Sequence, residues 1–175
     1  MKQNSGFTII ELLVTVAIIG IMSTIAFPHI GTWLNSMKLR NAVIDIVLVI
    51  QRARMYAVKE NRNVIVTFDP DSDGALDGTY IVFVDSGENK STLWTREPDE
   101  PIVNSGSVSP GINLFKASFA GGIPRTRFNN MGFPNGFGGH VYMKNNLDQY
   151  MGIHVNINGN PKIVKSATGA SGTWD

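Results

Sequence analysis

The chain has 175 residues and a mass of 19.1 kDa, within the range of one domain. A hydrophobic content of 43% and a mean hydropathy of +0.01 exclude a wholly disordered chain, and a single long apolar stretch excludes a polytopic membrane protein. The net charge of +1 offers no bulk field for nucleic acid, and the absence of cysteine excludes disulfide frameworks, cysteine-based zinc sites and thiol catalysis.

Residues 7–27 read FTIIELLVTVAIIGIMSTIAF and carry one charge, Glu11. As a helix they would extend roughly 31 Å, about the hydrocarbon thickness of a bilayer. The preceding MKQNSG holds one lysine and ends in Gly6. A secretory signal peptide would have a shorter apolar region and a small-residue cleavage site. This run instead ends at Phe27-Pro28 and passes into another helical pattern, so a single spanning helix is expected. A carboxylate at the centre of a lipid helix costs about 2.5–3.5 kcal/mol, and somewhat less near its end. Glu11 therefore either snorkels to the headgroups or meets a cation. A cut between Gly6 and Phe7 would supply one, the new α-amino group of Phe7 one helical turn away, from the same chain or from a neighbour.

The segment from Gly6 to Val14, GFTIIELLV, resembles the class III leader and N-terminal helix of type IV pilins and type II secretion pseudopilins. The shared features are a short leader with Lys2, Gly then Phe at the junction, Glu four residues beyond it, an uninterrupted apolar helix, and Pro28 at its end. The resemblance implies cleavage after Gly6 by a membrane prepilin peptidase, N-methylation of Phe7, and a role for Glu11 in setting subunit register within a helical filament.

From Ile30 to about Asn61, Leu34, Met37, Val43, Ile46, Val47, Ile50, Ala53 and Ala57 recur at intervals of three or four, with polar residues between them. That pattern predicts an amphipathic helix with one side buried. Pro28 cannot donate to the Thr24 carbonyl and clashes with it, which predicts a kink between the two halves. Beyond residue 62 the period becomes two. Val64–Phe68 and Tyr80–Val84 predict a hairpin, and Ile112–Phe115, Arg125–Phe128, Val141–Lys144, Ile153–Ile157 and Lys162–Val164 predict further strands. Asn158-Gly159 is a tight-turn signal. The polar stretch 86–111 reads as an exposed loop.

The expected fold class is α+β: a long N-terminal helix packed on an antiparallel β-sheet head, type IV pilin-like by the resemblance. The division is residues 1–6 as leader, 7–29 as membrane and filament-core helix, 30–62 as its amphipathic continuation, and 63–175 as a β-rich head. The string FNNMGFP from Phe128 and the run GIHVNINGNPKI from Gly152 also look like the closing strands of H-type minor pseudopilins and FimT-like minor pilins. Where many members carry a Gly-Arg pair after the last hairpin, this chain has Gly159-Asn160-Pro161.

No catalytic constellation is present. His29, His140 and His154 form no metal spacing, there is no nucleophile elbow or phosphate loop, and Gly136 to Gly139 lack the strand–helix setting that holds phosphate. Asp69, Asp71, Asp73 and Gly74 match the first half of a calcium loop with Asp77 at the ninth position, but Tyr80 stands where the bidentate Glu belongs. An acidic turn explains these aspartates without an ion, so neither cofactor nor metal is assigned. The sequon Asn89-Lys90-Ser91 is too common a pattern to count. Arg125 and Arg127 could share a strand face, but the head's cations are otherwise scattered, so nucleic acid is not an expected partner.

Two function classes follow: a minor pseudopilin of a type II secretion pseudopilus, or a minor pilin of a type IV pilus acting in pilus initiation or DNA uptake. Implied partners are other pseudopilins or pilins, the prepilin peptidase, an inner-membrane assembly platform and the bilayer. The implied location is the bacterial inner membrane, single-pass, with the head in the periplasm.

Overall fold

The computed structural model describes residues 6–70, 78–85, 94–134, 138–170 and 172–174, apart from the side chains of residues 25–29 and 70. The chain divides into two compact units, Met1–Asn35 and Ser36–Asp175. Helix α1 (Ile9–Glu60) contributes to both. Its helical assignment runs through Pro28 without interruption, and the Phe27, Pro28 and His29 side chains lie outside the described residues.

In the first unit, α1 is apolar on every side: Ile9, Leu12, Val16, Ile19 and Met22 are all exposed. Three of its hydroxyls are turned back onto the helix. Thr15 donates to the Leu12 carbonyl at 2.8 Å, Ser23 to Ile19 at 2.7 Å and Thr24 to Ile21 at 2.7 Å. Each hydroxyl proton is thereby satisfied without water.

The second unit combines the rest of α1 with eight strands: β1 (Asn63–Pro70), β2 (Gly78–Asp85), β3 (Ile102–Ser107), β4 (Ile112–Ser118), β5 (Arg125–Phe128), β6 (Gly139–Asn145), β7 (Tyr150–Val155) and β8 (Pro161–Ser166). They form two four-stranded antiparallel sheets, ordered β3-β2-β1-β5 and β4-β6-β7-β8, rather than one. The helix buries Leu39, Ala42, Val43, Ile46, Val49, Ile50, Ala53 and Ala57 in a core shared with Val64, Val66, Phe68 and Val82 of the first sheet. Ile112, Leu114, Val141, Met143 and Ile153 enter the same core from the second sheet. Phe68 of β1 stacks on Phe119, which follows β4, at 5.8 Å between ring centroids, and so joins the sheets. Gly78 lets them approach, because a Cβ there would lie 2.6 Å from the Leu114 Cβ. The α+β expectation holds.

Three further expectations are corrected. Leu34 and Met37 belong to the apolar period but are exposed, because the buried face begins at Leu39. The stretch 86–111, read as loop, contains β3, an edge strand that among the described residues pairs only with β2. Strand β7 stops at Val155, leaving Ile157 66% exposed. The tight turn signalled by Asn158-Gly159 is present, within a five-residue loop, 156–160, built by Asn156.

That loop is one of three built alike. In each, an asparagine side-chain oxygen accepts the backbone N–H groups two and four residues on: Asn129 from Met131 and Phe133, Asn145 from Leu147 and Gln149, Asn156 from Asn158 and Asn160. The same asparagine's carbonyl accepts from the residue three on, which is Gly132, Asp148 or Gly159. That residue has positive φ in every case, 78°, 51° and 78°. An asparagine oxygen replaces the backbone acceptor of a turn, and glycine at the left-handed position removes the Cβ conflict in two of the three.

Candidate functional site

The site singled out by the sequence is the start of α1. Gly6 and Phe7 precede the helix, and Phe7 is 79% exposed. A Cβ on Gly6 would meet no atom within 4 Å, so local sterics in this chain do not require glycine there. Thr8 stands at the N-cap position. Its hydroxyl accepts the Glu11 N–H at 3.3 Å, its own N–H donates to Glu11 Oε2 at 3.5 Å, and its hydroxyl reaches the same oxygen at 3.4 Å. This is a reciprocal capping box in the pattern Thr-x-x-Glu, and it satisfies amides that the first turn leaves without helical partners. A carboxylate here also faces the positive end of the helix dipole. The sequence reading weighed only headgroups and an ammonium as partners for Glu11 and missed Thr8, although the spacing was legible.

The bonds are at the long end of the hydrogen-bond range and use one carboxylate oxygen. Oε1 retains its acceptor capacity. Among the described residues, no helix is long and apolar enough to cross a membrane; the described side chains of the apolar run stop at Thr24.

The other candidates resolve differently. Of the calcium pattern only Asp69 and Tyr80 are described; Asp71, Asp73, Gly74 and Asp77 lie outside the described residues, as do Lys2, the sequon at Asn89, and Gly136-Phe137. No group of three or more metal-ligating side chains occurs among the described residues. Arg125 and Arg127 do share a face of β5, but both are engaged. Arg125 donates to Thr95 at 2.9 Å, while Arg127 pairs with Asp85 at 3.3 Å and lies over the Trp94 ring.

His140 and His154, read as separate strand histidines, sit opposite one another in register. Tyr142 hydrogen-bonds the His154 ring at 2.7 Å and lies stacked with His140 at 4.4 Å and Trp174 at 3.8 Å. Gly152, opposite Tyr142, leaves room for its ring. Burial lowers the pKa of both histidines, reinforced by Lys116 and His154 at His140 and by Lys162 at His154. Only strand register could have revealed this cluster.

Two family models match the chain: the prokaryotic N-terminal methylation motif over residues 1–27, and type II transport protein GspH over residues 42–160. A fimbrial protein of Pseudomonas aeruginosa is 34% identical over 59% of this chain and 66% of its own length. Pilin-like protein PilA1 of Thermus thermophilus is 32% identical over 49% of this chain and 51% of its own. The chain thus spans between half and two thirds of the length of these relatives. Among solved structures, the minor pseudopilin EpsH from the type 2 secretion system of Vibrio cholerae aligns over 73% of this chain and 97% of that one, with a TM-score of 0.48 and 10% identity.

Proposed function

The chain belongs to the family of type II transport protein GspH, and from that premise we propose that it is a minor pseudopilin, a structural subunit of a type II secretion pseudopilus. The observation that carries this reading is the methylation motif over residues 1–27 and the GspH match over residues 42–160 on one chain. Residues 1–6 are the leader, 7–29 the membrane and filament-core helix, 30–62 its continuation, and 63–175 the periplasmic head. Prepilin peptidase cuts between Gly6 and Phe7 and the new terminus is methylated. Glu11 then gives its second oxygen to the Phe7 ammonium of a neighbouring subunit in a water-poor filament core, where such a charge-assisted bond is worth about 1.5–3 kcal/mol. Pro28 marks the passage from the lipid-facing helix to the head.

Deleting the gene and scoring both secretion and pilus-dependent motility in the same strain tests the proposal. Lost secretion with normal motility supports it; the reverse overturns it in favour of a type IV minor pilin. That second reading is favoured by the fimbrial and pilin-like names of the relatives at 32–34% identity.

A further inference from the structure

Strand β3 is the terminal strand of its sheet, and among the described residues its outer edge pairs with no other strand. Its sequence, Ile102-Val103-Asn104-Ser105-Gly106-Ser107, holds no charge and no proline, the usual guards against strand addition. Beside it runs a groove against α1. One cavity of about 510 Å³ lies between Val103-Asn104 and helix residues that include Ala53, Tyr56 and Lys59. A second, of about 180 Å³, lies between Ser107 and helix residues that include Asp45 and Leu48. Val49 and Arg52 line both, so the depression follows the edge strand from Val103 to Ser107. Its floor is apolar, with Val49, Ala53 and Val82. The cations Arg52 and Lys59 stand along it, and Asp45 at the Ser107 end. Arg52 is exposed and carries no hydrogen bond or ion pair among the described residues.

We propose that this edge and groove form a binding site for an extended segment of another polypeptide, added as a further strand to β3. Backbone groups of β3 would supply the pairing. Alternate side chains, which in a strand point to one face, would fill the groove with apolar groups, and a carboxylate opposite Arg52 would fix the register. The groove's length and its course along the outer edge of β3 favour an extended occupant over a helix. The proposal concerns a surface of the head and does not depend on which secretion or pilus system the chain serves.

The test uses the full chain in detergent micelles and a fluorescent peptide of alternating valine and threonine with one central glutamate. Saturable binding at least tenfold tighter than that of the lysine counterpart is expected. N-methylation of alternate peptide amides on the pairing edge should abolish it, and Arg52→Glu should reverse the preference between the two peptides. Binding unchanged by N-methylation on either edge, or unchanged by Arg52→Glu, overturns the proposal. So does tighter binding of a helix-stabilised peptide of the same composition, or concentration-dependent self-association that Arg52→Glu abolishes, which would assign the groove to a second copy.

Discussion

The Thr8 hydroxyl and the Glu11 carboxylate close the first turn of α1 on each other, with Oγ1 and Oε2 3.4 Å apart. Glu11 therefore has a local structural role as well as its proposed intermolecular one, and the two are separable. Thr8→Val removes the cap hydroxyl and leaves the carboxylate. Glu11→Gln keeps an acceptor and removes the charge.

Removing the cap should destabilise the start of the helix by about 1 kcal/mol. If Glu11 meets a neighbour's ammonium, Thr8→Val should be incorporated into filaments nearly as well as the parent, while Glu11→Gln and Glu11→Ala should insert and be cleaved but fail to copurify with other pseudopilins or pilins. Copurification after mild crosslinking measures this. Equal loss in Thr8→Val and Glu11→Ala would make the cap the whole of Glu11's role.

The mature chain is predicted to begin at N-methyl-Phe7. Intact mass after membrane extraction should show loss of residues 1–6 and gain of one methyl group. Retention of Met1, or cleavage near Ala26, contradicts the assignment.

The histidine cluster predicts a pH dependence. His140 and His154 have folded-state pKa values below the ordinary histidine value, chiefly through burial. The neutral forms are thus favoured by folding, the stabilisation is present above the unfolded pKa, and it is lost as pH falls through the folded values. Melting temperature should therefore drop between about pH 7 and about pH 5. The drop should shrink in a His140→Gln/His154→Gln double variant. An unchanged slope in the double variant would assign the acid sensitivity to carboxylates instead.

The helix is expected to be integral to the head's core. Ile50 is fully buried in the shared core, and Ile50→Ala should cost about 2–5 kcal/mol in denaturant unfolding. Met55, 63% exposed on the same helix, should change stability by no more than about 0.5 kcal/mol when replaced by Ala. Similar small effects at both positions would mean that the helix does not contribute to a cooperative head.

The loops give a backbone test. Gly159 has φ of 78°, and a Cβ there would lie 3.2 Å from Pro134 Cδ. Gly159→Ala should destabilise by about 1–2 kcal/mol. Asp148→Gly, at the equivalent position with φ of 51°, should be neutral or stabilising. Thermal melts of the two variants should move in opposite directions or, at the least, only the first should fall.

Much of this architecture was legible from periodicity. The apolar run, the helix end at Asn61 with its φ of 52°, and the hairpin of β1 and β2 follow from local pattern. Strand β3 was not, because an edge strand needs only partial burial, and Asn104 to Ser107 carry no apolar alternation. The exposure of Leu34 and Met37 was hidden for another reason: helical period marks a face, not where along the helix that face is covered. The loops were hidden because a side-chain oxygen, not a residue pair, builds them. Asn158-Gly159 signals the turn, whereas the asparagine whose side chain builds the loop is Asn156, two positions earlier. At the candidate site, the Thr-x-x-Glu spacing of Thr8 and Glu11 was legible as a capping box.

The inward bonding of Thr15, Ser23 and Thr24 has a consequence for transit. With these three hydroxyl protons donated to its own carbonyls, the segment from Thr15 to Thr24 carries its polar satisfaction with it, whatever lies outside. Moving such a rod from lipid into a bundle of similar rods exchanges one set of dispersion contacts for another and ruptures none of these bonds. If the segment makes the passage proposed above, the barrier would reside in shape matching and in one carboxylate, and it would move as an inert piston bearing a single charged catch.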